Sequence, residues 1–129
     1  MMALDTNVIV RFLTRDEPEE AARAKALIER GPTFVAKTVM LETEWVLRSA
    51  YQFGPSAIRA SFTAFLGLPG VTVEDESAVS QALAWYAVGL DFADALHVAS
   101  SDEAEAFATF DRELRRNAEL AGTFAVITP

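Results

Sequence analysis

The sequence predicts an α/β protein in which helices cover a mainly parallel, five-stranded sheet, in a single domain over residues 1–129. Three observations lead to that class. Short apolar runs alternate with longer stretches of helical periodicity, no hairpin signal joins neighbouring runs, and no linker, repeat or low-complexity tract divides the chain. A chain of 129 residues also matches the usual domain of roughly 100 to 150 residues, and one of that size builds its core without staples.

Taken in order, Met2 to Leu4 reads as a strand, Asp5 to Asn7 as a turn, and Val8 to Leu13 as a helix that carries Arg11 and leads out through Arg15. Pro18, tolerated in a first turn, opens a second helix with Glu19 and Glu20 favoured by the dipole, and Gly31 closes it. "TFVAK" is the second strand. "TVMLETEWVLRSAYQF" is helical up to the Gly54-Pro55 break, and "SAIRASFTAFLGL" forms a further helix stopped by Pro69-Gly70. "VTVE" is the third strand, followed by a helix from Ser77 to Val88. After Gly89, "LDFADALHVASSDEAE" reads as one helix starting at Asp91, then "AFATF" as a strand. Asp111 caps the last helix, "RELRRNAEL", and "FAVIT" is the fifth strand.

The totals narrow the chemistry. With no cysteine and one histidine, thiolate and multi-histidine metal sites are excluded, so any metal would have oxygen ligands. Eleven Lys and Arg against nineteen Asp and Glu give a net charge of -8, a poor match to unaided binding of phosphates. Divalent cations or a basic partner segment would offset that charge. No apolar run approaches the ~20 residues of a membrane span and no basic segment precedes the first apolar one, so a soluble cytoplasmic protein without a membrane partner is expected.

Ligands of an open parallel sheet bind at the carboxyl ends of its strands. Asp5 and Asp111 each stand directly after a strand, although each also suits a helix N-cap. Glu44 has Arg48 four residues later, which accounts for it as a surface ion pair. Glu42 has Val39, Trp45, Val46 and Ser49 at helical spacing and no cation on its own face, so it is the functional choice of the two. Asp91 fits a capping box with Asp94 at its third position. Asp94 itself lies on a largely apolar helix without an Arg or Lys nearby. His97, among Leu96, Val98 and Ala99, reads as a packed or supporting histidine, while Ser101 and Thr109 stay open. Crowded carboxylates repel unless cations neutralise them, and oxygen-only ligands select Mg²⁺ or Mn²⁺. Such ions support attack of water on a phosphodiester.

"ALDTNVIVRFL", "VMLETEWVL", "DFADALHVA" and "ATFD", in this order, resemble the four acidic blocks of the PIN-domain family over essentially the whole chain. The size is similar to that of VapC-type toxins of bacterial toxin–antitoxin pairs. The resemblance implies a three-layer α/β/α fold and a metal-dependent endoribonuclease. Asp5, Glu42, Asp94 and Asp111 match the catalytic, metal-holding acids. Thr6, Asn7 and Thr109 match supporting polar positions, and Asp91 is a lesser candidate of the same kind. Arg11, Arg15, Arg112, Arg115 and Arg116 are candidates to guide RNA phosphates. A cognate antitoxin lying across the helices of residues 17 to 66 and a toxin homodimer are also implied. Two alternatives are a non-catalytic PIN-like binding module and a haloacid-dehalogenase-type phosphatase. The phosphatase would need an aspartate where Asn7 stands and a late lysine, whereas the lysines are Lys25 and Lys37.

Overall fold

The computed structural model describes residues 1–129 and comprises two compact units, Met1–Glu76 and Ser77–Pro129. In the first, three strands, β1 (Met2–Ala3), β2 (Thr33–Val35) and β3 (Val71–Val73), pair in parallel in that order. The register sets Ala3 beside Phe34 and Phe34 beside Thr72. Parallel pairing needs a crossover between consecutive strands. Helices α1 (Thr6–Thr14) and α2 (Pro18–Arg30) supply the first crossover, and α3 (Lys37–Ser49) and α4 (Pro55–Leu66) the second. Central β2 buries Thr33 and Val35 completely, and Ile9, Ile28, Met40, Leu47, Ile58 and Phe62 complete this unit's core. Phe12 of α1 meets Phe65 of α4 with ring centroids 5.9 Å apart.

The second unit holds most of α5 (Glu76–Ala87), then α6 (Phe92–Ala99), β4 (Phe107–Ala108), α7 (Arg112–Ala121) and β5 (Val126–Ile127). β4 and β5 pair in parallel across α7. Its core contains Val79, Ala82, Phe92, Ala95 and Val98, with the Tyr86 and Phe92 rings edge to face at 5.4 Å.

The mixed α/β class and the parallel pairing follow the sequence reading. The strands are shorter than expected, and their hydrogen bonds form one three-stranded and one two-stranded sheet where the sequence predicts five strands together. Strands of two or three residues contribute few ladder bonds, so helix packing carries these units.

Two helices also end early, for local reasons. The third stops at Ser49 and not at the Gly54-Pro55 break, because Gln52 adopts a left-handed conformation (φ 56°) and the Phe53 N–H turns back to the Leu47 carbonyl at 3.0 Å. That closure satisfies a terminal carbonyl as a Schellman motif does. The sixth stops at Ala99 instead of running on to Glu105. "SSDEAE" has no large apolar side chain to bury, and Ser101 donates its hydroxyl to the His97 carbonyl at 2.8 Å, competing with the helix.

Candidate active site

β1 delivers the first acid. After Ala3 the Leu4 N–H still bonds the Phe34 carbonyl, and the chain then turns into α1 with Asp5 at the N-cap. Aspartate is favoured there because its side chain can accept from the first turn, yet here it makes no capping bond. Only the Asp5 backbone carbonyl serves the helix, accepting from Val8 N at 3.1 Å. The exposed carboxylate is left to other work.

The next residue ties α1 to α3. Thr6 is buried, and its hydroxyl donates to Oε1 of Glu42. Asp5, Thr6, Asn7 and Glu42 line one cavity of about 420 Å³, together with Arg11, Tyr51 and an apolar floor that includes Val10 and Val46. The structure thus brings Asp5 and Glu42, 37 positions apart, to a common pocket.

The two glutamates of α3 part as the sequence suggests, for a different reason. Met40, Thr43, Glu44 and Leu47 form the buried face of the helix. Glu44 is only 2% exposed and accepts from Arg48 Nε at 2.9 Å. The expected surface pair therefore has its acid end in the core. Glu42 lies on the opposite, solvent-facing side with Trp45 and Ser49, away from the buried Met40 and Leu47. What distinguishes it is the Thr6 hydroxyl and the cavity.

In the second unit, Asp91 and Asp111 both cap helices. Asp91 accepts from Asp94 N at 3.1 Å, and Oδ1 of Asp111 accepts from Glu113 N at 3.0 Å and Leu114 N at 3.1 Å. Thr109 fixes the turn before α7 by accepting the Asp111 N–H on its hydroxyl at 3.0 Å. Asp94 is half-buried. Its pKa is raised, first by burial and then by the negative charges of Asp91 and Asp111, with nearby His97 opposing. His97 itself is exposed and not packed in the core, since its helix turns Ala95, Leu96, Val98 and Ala99 inward.

The Asp94 shift has a definite sign. A carboxyl whose folded pKa lies above its unfolded value binds its proton more tightly when folded. Its ionisation therefore costs stability as pH rises through the ordinary carboxylate range to the raised value, and the cost persists above. Asp94→Asn is expected to stabilise the protein at neutral pH, by under about 1 kcal/mol after solvent screening. It is also expected to steepen the acid limb of a plot of unfolding free energy against pH, because the opposing slope of Asp94 is removed. Denaturant melts from pH 3 to 8 check this, and equal stability of both proteins at every pH would contradict it.

The candidate RNA-guiding arginines differ in how free they are. Arg11 is engaged: Nε donates to Glu20 at 3.2 Å, while Nη1 reaches Asp16 at 3.4 Å and the Tyr51 hydroxyl at 3.2 Å. Tyr51 in turn donates to Asp16 at 2.6 Å. The Tyr51 and Thr14 hydroxyls, then the Arg11 charge, hold the Asp16 carboxyl below its ordinary range. This clamp leaves Nη2 of Arg11 without a protein partner. Arg115 lies 3.7 Å from Glu119 and donates to Thr128 at 3.2 Å. Arg15, Arg112 and Arg116 are exposed. Sequence reading missed Tyr51 and Asp16 because packing of α1 against α3, not chain spacing, brings Tyr51 to Arg11.

Nowhere do three or more Asp, Glu or His side chains gather in an arrangement that could hold a metal ion. The donors nonetheless fit a hard divalent cation in kind. Asp5 and Glu42 line the same cavity, Asp5 with no side-chain capping bond and Glu42 with only Oε1 engaged by Thr6, and both are oxygen donors of the sort Mg²⁺ and Mn²⁺ take.

A search of curated proteins returns no match to this chain. The family model of the PIN domain matches residues 2–120, a span that contains every acid described above. The chain belongs to the PIN domain family, whose members are generally nucleases.

Proposed function

We propose that this protein is an Mg²⁺- or Mn²⁺-dependent endoribonuclease, the VapC-type toxin of a type II toxin–antitoxin pair, working in the cytoplasm as a homodimer. The observation that carries the reading is the cavity shared by Asp5 and Glu42, in which one acid declines its capping role and the other is held by Thr6. Family membership supplies the reaction class.

In this reading Asp5, Glu42 and Asp94 hold the ion, and Asp111 assists directly or through water. When bound, a divalent ion lowers the pKa of the attacking water and offsets charge on the phosphodiester. The chain's own residues do the rest. Thr6 fixes the orientation of Glu42, Thr109 fixes the backbone at Asp111, and Asn7 presents an amide to the substrate. Arg11, held in place by Asp16, Glu20 and Tyr51, offers its free Nη2 to an RNA phosphate. Hydrolysis leaves a 5′-phosphate and a 3′-hydroxyl. One domain with a continuous five-stranded sheet in an α/β/α arrangement belongs to the same reading, as does a basic antitoxin segment that would suit the net charge of -8.

Purified, antitoxin-free protein incubated with structured RNA is expected to cut it in Mg²⁺ or Mn²⁺, to stop on addition of EDTA and to resume with excess metal. Cleavage that survives EDTA would contradict the metal. Intact RNA in both metals would contradict the nuclease.

A further inference from the structure

A second cavity, of about 470 Å³, adjoins the first. Asn7 and Arg11 line both, so they form the partition between the two. Beyond it the walls come from α1 and α2: Val8, Ala24 and Leu27 give an apolar surface, and Glu20 and Arg23 the polar edge. The volume lies within the roughly 300–1,000 Å³ of small-molecule pockets, which combine apolar walls with a few placed polar groups. Glu20 is already committed to Arg11, so its charge is offset locally. Arg23 is exposed and takes part in no ion pair or hydrogen bond. In a chain of net charge -8, a free guanidinium beside the clamped Arg11 marks where a polyanion can be met.

We infer that this second cavity is a nucleotide subsite: it receives the nucleotide next to the scissile one in single-stranded RNA, with Arg23 on that nucleotide's phosphate. The inference rests on the nuclease reading of the neighbouring Asp5–Glu42 cavity. Because the two cavities share Asn7 and Arg11 and lie side by side, one strand can lie across both. The apolar wall accepts any base face, while the two guanidinium groups meet the backbone. A helical protein segment is the poorer fit, because helix-binding grooves present a long apolar stripe and this cavity has arginines and Asn7 in its rim.

The test uses a fluorescein-labelled single-stranded RNA about ten nucleotides long, within the span such proteins cover. Its affinity is read by anisotropy in Ca²⁺ over a series of salt concentrations, for wild type, Arg23→Gln and Arg23→Lys. Arg23→Gln is expected to weaken binding about three- to tenfold and to flatten the plot of log K against log salt by about 0.7, the contribution of one lost phosphate contact on a single strand. Arg23→Lys should keep the wild-type slope. In Mg²⁺ the KM of Arg23→Gln should rise by the same factor with kcat unchanged. Equal affinity and slope for wild type and Arg23→Gln would overturn the subsite even if both cut RNA. Weaker binding by Arg23→Gln with no cutting by wild type would overturn the nuclease, and with it the scissile register, while upholding the cavity as a site for an RNA nucleotide. An RNA that wild type does not bind at all would overturn both.

Discussion

Asp5→Asn and Glu42→Gln are each expected to lower the rate of RNA cleavage by on the order of 100-fold or more, a loss of roughly 3 kcal/mol of transition-state stabilisation. Neither should unfold the protein. Asp5 is exposed and its side chain caps nothing, so neutralising it removes no contact that the fold uses. The amide oxygen of a glutamine at position 42 can still accept the Thr6 hydroxyl, and this side chain too is exposed. Changes in unfolding free energy should stay within about 0.5 kcal/mol, as for other surface substitutions. The pattern of lost rate with retained stability separates a working site from a structural pair. A thermal melt beside each single-turnover rate checks it.

The opposite pattern is expected at Arg48 and Glu44. The carboxylate of Glu44 is in the core, whereas the Arg48 side chain that meets it at 2.9 Å is 45% exposed. Removing the two partners is therefore not symmetrical. Arg48→Gln takes away the guanidinium that offsets a buried charge and should cost about 3 kcal/mol, in the range for breaking a buried pair. Glu44→Gln leaves a neutral group inside and an arginine that water can solvate, so about 1 kcal/mol is the expected cost. Denaturant unfolding of the two variants reads the difference. Equal losses would show that the pair is shared evenly between core and solvent, contrary to the burial seen.

How much of this was legible in the sequence depends on which force decides each residue. The alternation of strand and helix was, because apolar periodicity and the Pro and Gly breaks act locally; all seven helices and all five strands fall where those signals place them. Their lengths were not. Nothing in "SAYQF" announces that Gln52 will adopt a positive φ and end α3 early. The pairing of Glu44 with Arg48 was legible at i+4, but its acid end was expected at the surface and is buried. The helical face that enters the core is set by Met40, Thr43 and Leu47 packing within the first unit, and spacing alone leaves Glu44 on either side. Asp5 and Asp111 looked alike as helix caps. Only coordinates separate the one that declines its cap from the one that accepts two backbone N–H groups. The Arg11, Asp16 and Tyr51 clamp left no sequence signal, since Arg11 and Tyr51 are 40 positions apart.

The measurement that bears most directly on the proposed site is single-turnover cleavage of one RNA by wild type, Glu42→Gln and Glu44→Gln at equal concentrations of folded protein in Mg²⁺. The two substitutions make the same chemical change two residues apart on one helix, once at the cavity and once in the core. The expected result is a near-complete loss for Glu42→Gln and a rate within about twofold of wild type for Glu44→Gln, since a group away from the reacting atoms leaves the transition state unchanged. Equal rates for wild type and Glu42→Gln, or an equal loss in both variants, would contradict the assignment of Glu42 to the site.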